Sequence, residues 1–225
     1  MRPVVAILFD AGGTLIHVDG ERVCRAAGLP WEAARFRAAE AQAVTALRRF
    51  VLEGPSTDST RVPFYFDVLL SGLGLAEPAR RQEAAGRVAA EHRRANFWSL
   101  PGDRAAETLA ALRSRGYRVA VISNADGRVR GLLETAGLTP HLEFVIDSAE
   151  VGMEKPDPRI FHAATQRMGL PPERCAYVGD IYEIDVVGAR GAGLTPILIG
   201  EGQAPEPVLR VPDLWTLLNH LPPLP

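Results

Sequence analysis

The sequence predicts an α/β protein: a doubly wound parallel sheet with an all-helical segment inserted after the first strand. Five short apolar runs, at residues 4–10, 118–124, 144–147, 175–180 and 195–200, are bounded by turn residues. They are continuous rather than alternating, the pattern of strands covered on both faces. Amphipathic stretches at 103–114, 127–136, 158–168 and 184–191 flank the second and fourth of these runs, and such alternation is that of βα units. Between Leu15 and Pro101 no strand-like run occurs. That stretch is rich in Ala, Arg and Leu instead.

The elements follow in order. The first run, 4–10, stops at Asp10 and is too short for the apolar region of a signal peptide. Ala11-Gly12-Gly13-Thr14 then turns the chain, because paired glycines allow a sharp bend. Helix-like pieces follow at 31–51, 62–73 and 78–98, punctuated by Gly54-Pro55-Ser56-Thr57 and Gly72-Leu73-Gly74. The chain therefore divides into an α/β core, residues 1–16 and 100–225, and a helical insert, residues 17–99. Phe64-Tyr65-Phe66 cannot all share one helix face, so one ring is expected to point away from the insert's core. The prolines at 205, 207, 212, 222, 223 and 225 frame a last helix at 213–221.

Composition narrows the class. Hydrophobic residues make up 47% of the 225 and charged residues 23%, enough for a packed core and unlike a disordered chain. A net charge of −2 argues against coating a nucleic acid. No apolar run approaches the roughly 18 residues that span a bilayer. Cys24 and Cys175 alone make neither a disulfide framework nor a cysteine metal motif. The expectation is a soluble cytoplasmic protein with a small-molecule partner, no nucleic acid and no membrane; its oligomeric state stays open. Of the 25 basic residues, only Lys155 is a lysine. In so arginine-biased a chain, a lone Lys suggests a place where a compact ammonium is needed.

Ligands of open parallel sheets bind beyond the carboxyl ends of the strands. Four expected strands end in polar residues: Asp10, Ser123-Asn124, Asp147-Ser148 and Gly179-Asp180. Each alone serves equally well as a helix cap; together they put carboxylates, hydroxyls and an amide on one rim. The Gly12-Gly13 turn and the helix start after Ser123-Asn124 offer N–H groups to an anion. Asp180 and Asp185 bracket a strand-to-helix turn, and with Asp10 they make an all-oxygen set suited to Mg²⁺.

In order along the chain stand Asp10-Ala11-Gly12-Gly13-Thr14-Leu15, Ser123-Asn124, Lys155-Pro156, and Gly179-Asp180 followed by Asp185. With these four motifs the sequence resembles the haloacid dehalogenase-like hydrolase superfamily, in the branch with a helical cap inserted after the first strand. The resemblance implies a nucleophilic Asp10 that forms an aspartyl-phosphate. It implies that Gly13, Thr14, Ser123, Asn124 and Lys155 hold the phosphoryl group, Lys155 also neutralising charge on Asp10. It further implies Mg²⁺ on Asp10, the Gly12 carbonyl and Asp180, with Asp185 as an outer or alternative ligand, and a small phosphorylated substrate.

One position departs from the pattern. Phosphatases of the superfamily usually carry a second Asp two residues after the nucleophile, as general acid and base; here it is Gly12. Losing such help typically costs about 10²–10⁴-fold. Three readings stand: a slow or specialised phosphatase, with His17 or Asp19 as substitute acids; a 2-haloacid dehalogenase-like hydrolase, whose halide leaves without a proton; or a catalytically weak protein that binds a phospho-ligand or a partner. The Gly179-Asp180…Asp185 form favours the phosphatase, since the superfamily's haloacid dehalogenases lack it. In the insert, Arg25, Arg35, Arg37, Arg48 and Arg49 are candidates to meet an anion or, more simply, form a solvated face.

Overall fold

The computed structural model describes residues 3–200 and 204–225. The chain forms two compact units, Met1–His17 with Ser99–Pro225, and Val18–Trp98. In chain order the elements are β1 (Ala6–Phe9), β2 (Ile16–Val18), α1 (Gly20–Ala27), α2 (Ala33–Glu53), α3 (Asp58–Gly72), α4 (Pro78–Arg94) and β3 (Trp98–Pro101). Then come α5 (Ala105–Ser114), β4 (Arg118–Ser123), α6 (Val129–Thr135), β5 (Val145–Asp147), α7 (Ser148–Val151) and α8 (Pro158–Met168). The chain ends through β6 (Cys175–Gly179), α9 (Val187–Gly191), β7 (Thr195–Ile199) and β8 (Leu209–Val211). No helix among the described residues is long and apolar enough to cross a membrane.

The first unit is built on a six-stranded sheet of order β5-β4-β1-β6-β7-β8, parallel throughout. Phe9 lies opposite both Val121 and Val178, and Ser123 lies opposite Asp147. The strand order reverses between β1 and β6, so the residues that follow them, Asp10 and Asp180, face the crevice where such sheets bind ligands. Side chains alternate across the sheet. Ala6, Leu8, Ala120, Ile122 and Tyr177 pack on one face with Phe161, Ala164 and Met168 of α8. Ile7, Phe9, Val119 and Val121 are just as buried. Both faces being covered explains why the runs are continuous; each large apolar side chain so buried stabilises the fold by about 1.5–3 kcal/mol.

Local sequence sets the helix ends. Asp157 caps α8 by accepting from Arg159 N at 2.9 Å, Pro158 opens it, and Gly169 closes it at φ 63°. In the second unit Asp19 caps α1, accepting from Arg22 N at 3.0 Å. The core of that unit joins Phe36, Ala39, Tyr65, Phe66, Leu69, Val88 and Phe97. Phe64 is the ring of its triplet left out of this core, and it stacks on Phe50 with centroids 4.4 Å apart.

Several expectations need correction. The tail at 213–221 is no α-helix: only a 3₁₀ turn, Thr216–Asn219, forms. The segment is instead tied down by its carbonyls, Leu221 O accepting from Arg115 at 2.7 Å and Pro222 O from the Tyr117 hydroxyl at 2.9 Å. The edge strand β8, the short helix α1 and the two-stranded β2–β3 sheet were not expected. Helix α4 stops at Arg94 rather than running to 98, because Asn96 Oδ1 takes the Trp98 N–H at 2.9 Å as β3 begins. The element expected at 184–191 starts as a π-helical turn, Tyr182–Val186, before α9.

Candidate active site at the strand ends

Lys155 lies in the loop between α7 and α8 and is 2% exposed. Its Nζ donates to Asp10 Oδ1 at 2.6 Å, to the Tyr177 hydroxyl at 2.7 Å and to Asp185 Oδ1 at 2.8 Å. An ammonium has three N–H donors, so these acceptors use all of them. The Tyr177 hydroxyl in turn donates to Ile122 O in β4 at 2.9 Å. The loop is held by Asn124, whose Nδ2 donates to Lys155 O at 2.9 Å while its Oδ1 accepts from Lys155 N at 2.8 Å.

Two glycines make room for the other carboxylates. A Cβ on Gly179 would lie 2.3 Å from Asp185 Cγ, and a Cβ on Gly13, at φ +82°, would lie 2.5 Å from Asp180 Oδ2. The π-helical turn brings Asp185 back over the end of β6, where Oδ2 accepts from Ile181 N at 3.0 Å. The loop after β1 closes on itself: Leu15 N and Ile16 N both donate to Ala11 O, at 2.8 and 2.9 Å.

The site carries excess negative charge in a buried place. Burial, opposed by Lys155 and reinforced by Asp185, pushes Asp10 up to about 6. Asp180 is raised well above the usual carboxylate range by burial and then by Asp10 and Asp185. Burial works against the charged form of Lys155, yet Asp10 and Asp185 outweigh it and raise the ammonium's pKa. Such a cluster is relieved by a cation. Asp10, Asp180 and Asp185 each offer an oxygen within 4.8 Å of the others, and Asp180 Oδ1 is buried without a hydrogen-bond partner among the described residues. The all-oxygen set and this unpartnered atom fit a hard cation such as Mg²⁺. Both oxygens of Asp185 are already engaged, so Asp10 and Asp180 are the better placed for direct ligation. Thr14 Oγ1 is likewise buried and unpartnered.

The structure separates residues that looked alike in the sequence. Asp10, Lys155, Asp180 and Asp185 come together, and Thr14 and Ser123 are buried at the ends of the loop and strand beside them. Asn124 turns its side chain to the Lys155 backbone. Asp147 is a cap, accepting from Ala149 N at 3.0 Å and Val129 N at 3.4 Å, and Ser148 Oγ is bonded to Ala125 at 3.0 and 3.2 Å. His17 is exposed on β2 between buried Ile16 and Val18. Asp19 is engaged as the α1 cap, and Arg25 pairs with Glu21 at 2.7 Å on an exposed face. Tyr177 was missed; a hydroxyl inside an otherwise apolar strand was the one available signal.

Comparison with known proteins places this geometry. The family model for haloacid dehalogenase-like hydrolases matches residues 4–193. The chain is 44% identical over 108 residues to haloacid dehalogenase-like hydrolase domain-containing protein 3 of Homo sapiens, covering 48% of this chain and 43% of that protein. It is 39% identical over 143 residues to a phosphoserine phosphatase of Thermus thermophilus, covering 61% and 56%. These alignments span about half the length of the relatives. A solved dehalogenase, captured with an intermediate, is similar over 99% of both chains, with a TM-score of 0.69 and 25% identity. The family match runs through every strand-end residue that converges here, from Asp10 to Asp185, and on that ground the chain belongs to the haloacid dehalogenase-like hydrolases.

Proposed function

We propose that the protein is a Mg²⁺-dependent phosphatase that cleaves a small phosphorylated metabolite through an aspartyl-phosphate on Asp10. The observation that carries this reading is the buried contact of Asp10 with Lys155 beside Asp180, whose Oδ1 has no partner among the described residues. Likeness to a phosphoserine phosphatase supports it.

In this reading the Asp10 carboxylate attacks phosphorus, and the bond from phosphorus to the alcohol oxygen breaks. Water then cleaves the acyl phosphate, releasing inorganic phosphate and restoring Asp10. Asp10, Asp180 and the Gly12 carbonyl would hold Mg²⁺, with Asp185 as an outer or alternative ligand. When bound, the ion offsets the repulsion between a phosphate dianion and a carboxylate. The unpartnered Thr14 hydroxyl, Ser123, Gly13 and the chain at Asn124 bind the phosphoryl oxygens, donors placed where charge develops. Lys155 keeps Asp10 ionised and oriented. The helical insert supplies specificity. Gly12 brings no proton donor, so alcohols that leave readily as alkoxides are the best substrates.

A second reading is supported by Gly12 and by the likeness to a dehalogenase: attack of Asp10 on carbon with loss of halide, which needs no acid. The retained Asp180 and Asp185 weigh against it. Parallel assays separate the two. The phosphatase reading expects phosphate release from an aryl phosphate that stops with chelator, and no halide from 2-haloacids. Halide release indifferent to chelator would overturn it, and silence in both assays would leave a binding role.

A further inference from the structure

Lys155 makes three hydrogen bonds, and only two of its acceptors are carboxylates. The third is Tyr177, in the middle of the sheet. Its ring is fully buried and packs edge-on against Phe161, centroids 5.0 Å apart. Its hydroxyl meets Ile122 O, Lys155 Nζ and the Asp185 carboxylate. It gives its one proton to Ile122 O at 2.9 Å, which leaves its lone pair to accept from Lys155 Nζ at 2.7 Å. Because Ile122 O fixes the direction of the O–H, it also fixes where the lone pair points. The ammonium is thus tied to the backbone of β4 through one side chain of β6.

We infer that Tyr177 is a positioning residue: its hydroxyl is the third leg of a tripod that aims the Lys155 ammonium at Asp10. With Asp10, Asp185 and Tyr177 taking its three N–H groups, Lys155 has none left for a substrate oxygen. It therefore serves Asp10 as a fixed charge, and donation to the phosphoryl group falls to Thr14, Ser123 and main-chain N–H groups. The tripod also accounts for a lysine in a chain that otherwise uses arginine. Three acceptors arranged around one point suit an ammonium, and a planar guanidinium cannot meet them.

The inference rests on Asp10 being the nucleophile, but its test does not need turnover. Lys155 is the chain's only lysine, so labelling with ¹³C,¹⁵N-lysine gives a single side-chain signal by NMR. The wild type should show Nζ–H protons protected from exchange, and a Tyr177 hydroxyl proton with a cross-peak to the Lys155 ε protons. Tyr177→Phe keeps the ring and removes the leg. It should shift the lysine signal and speed Nζ–H exchange about tenfold or more, while lowering kcat about tenfold with KM within about twofold. An unchanged lysine signal and exchange rate in folded Tyr177→Phe would overturn the tripod. So would a rise in KM with kcat unaltered. If Tyr177→Phe does not fold, the wild-type cross-peak decides, and its absence overturns the inference. If no substrate is turned over, the proposed function fails while the lysine signal still judges the tripod.

Discussion

Asn124 grips the main chain of Lys155 from both sides, its amide nitrogen on Lys155 O at 2.9 Å and its amide oxygen on Lys155 N at 2.8 Å. The end of β4 is thereby locked to the loop that carries the ammonium. Asn124→Asp keeps the acceptor and loses the donor; Asn124→Ala loses both. Each lost bond is expected to cost about 1–3 kcal/mol if its buried partner is left unsatisfied. Urea denaturation should rank wild type above Asp above Ala, with activity falling in the same order. Equal stability of all three would show that the clamp is incidental.

The carboxylate cluster gives a pH signature. In the metal-free protein Asp10 is raised from an ordinary 3.8 to about 6, mainly by burial. Between those values the folded protein holds a proton that the unfolded chain has released, so stability should fall as pH rises through this window. Asp180, raised by burial and by Asp10 and Asp185, acts in the same direction. Mg²⁺ favours the ionised carboxylates, so the gain in Tm on adding it should grow from about pH 4.5 to about pH 7. Asp180→Asn should remove most of that gain. A gain independent of pH, or unaffected by Asp180→Asn, would contradict the assignment of these residues to the cation.

Two glycines with the same backbone demand differ in what surrounds them. Gly13 at φ +82° would bring a Cβ to 2.5 Å from Asp180 Oδ2, whereas Gly127 at φ +87° has nothing among the described residues within 4 Å of that position. Gly127→Ala should cost only the left-handed strain, about 1 kcal/mol. Gly13→Ala should cost more and also abolish the Mg²⁺-dependent rise in Tm by displacing Asp180. Calorimetry with and without Mg²⁺ measures both effects, and equal costs for the two variants would count against the crowding argument.

Much of the sheet was legible because a strand covered on both faces must be apolar without interruption, and four of the five such runs end in polar residues. The same logic could not tell Asp147 from Asp180. A carboxylate after a strand looks alike whether it meets helix N–H groups, as Asp147 does at Ala149 and Val129, or sits among other carboxylates. Only the tertiary fold distinguishes them. Tyr177 was hidden because its ring fills a core position as any aromatic would, and the hydroxyl matters only once Lys155 arrives from another loop. β8 was illegible for a different reason: three residues among prolines carry no periodicity, and pairing with β7 is what makes them a strand.

The most direct test of the central claim is phosphate release from an activated aryl phosphate by wild type, Asp10→Asn and Gly12→Asp, each with Mg²⁺ and with chelator. The account predicts slow Mg²⁺-dependent turnover by wild type, none by Asp10→Asn, and an increase for Gly12→Asp toward the roughly 10²-fold or more that a general acid supplies. Turnover that survives Asp10→Asn, or that chelator leaves untouched, would contradict it.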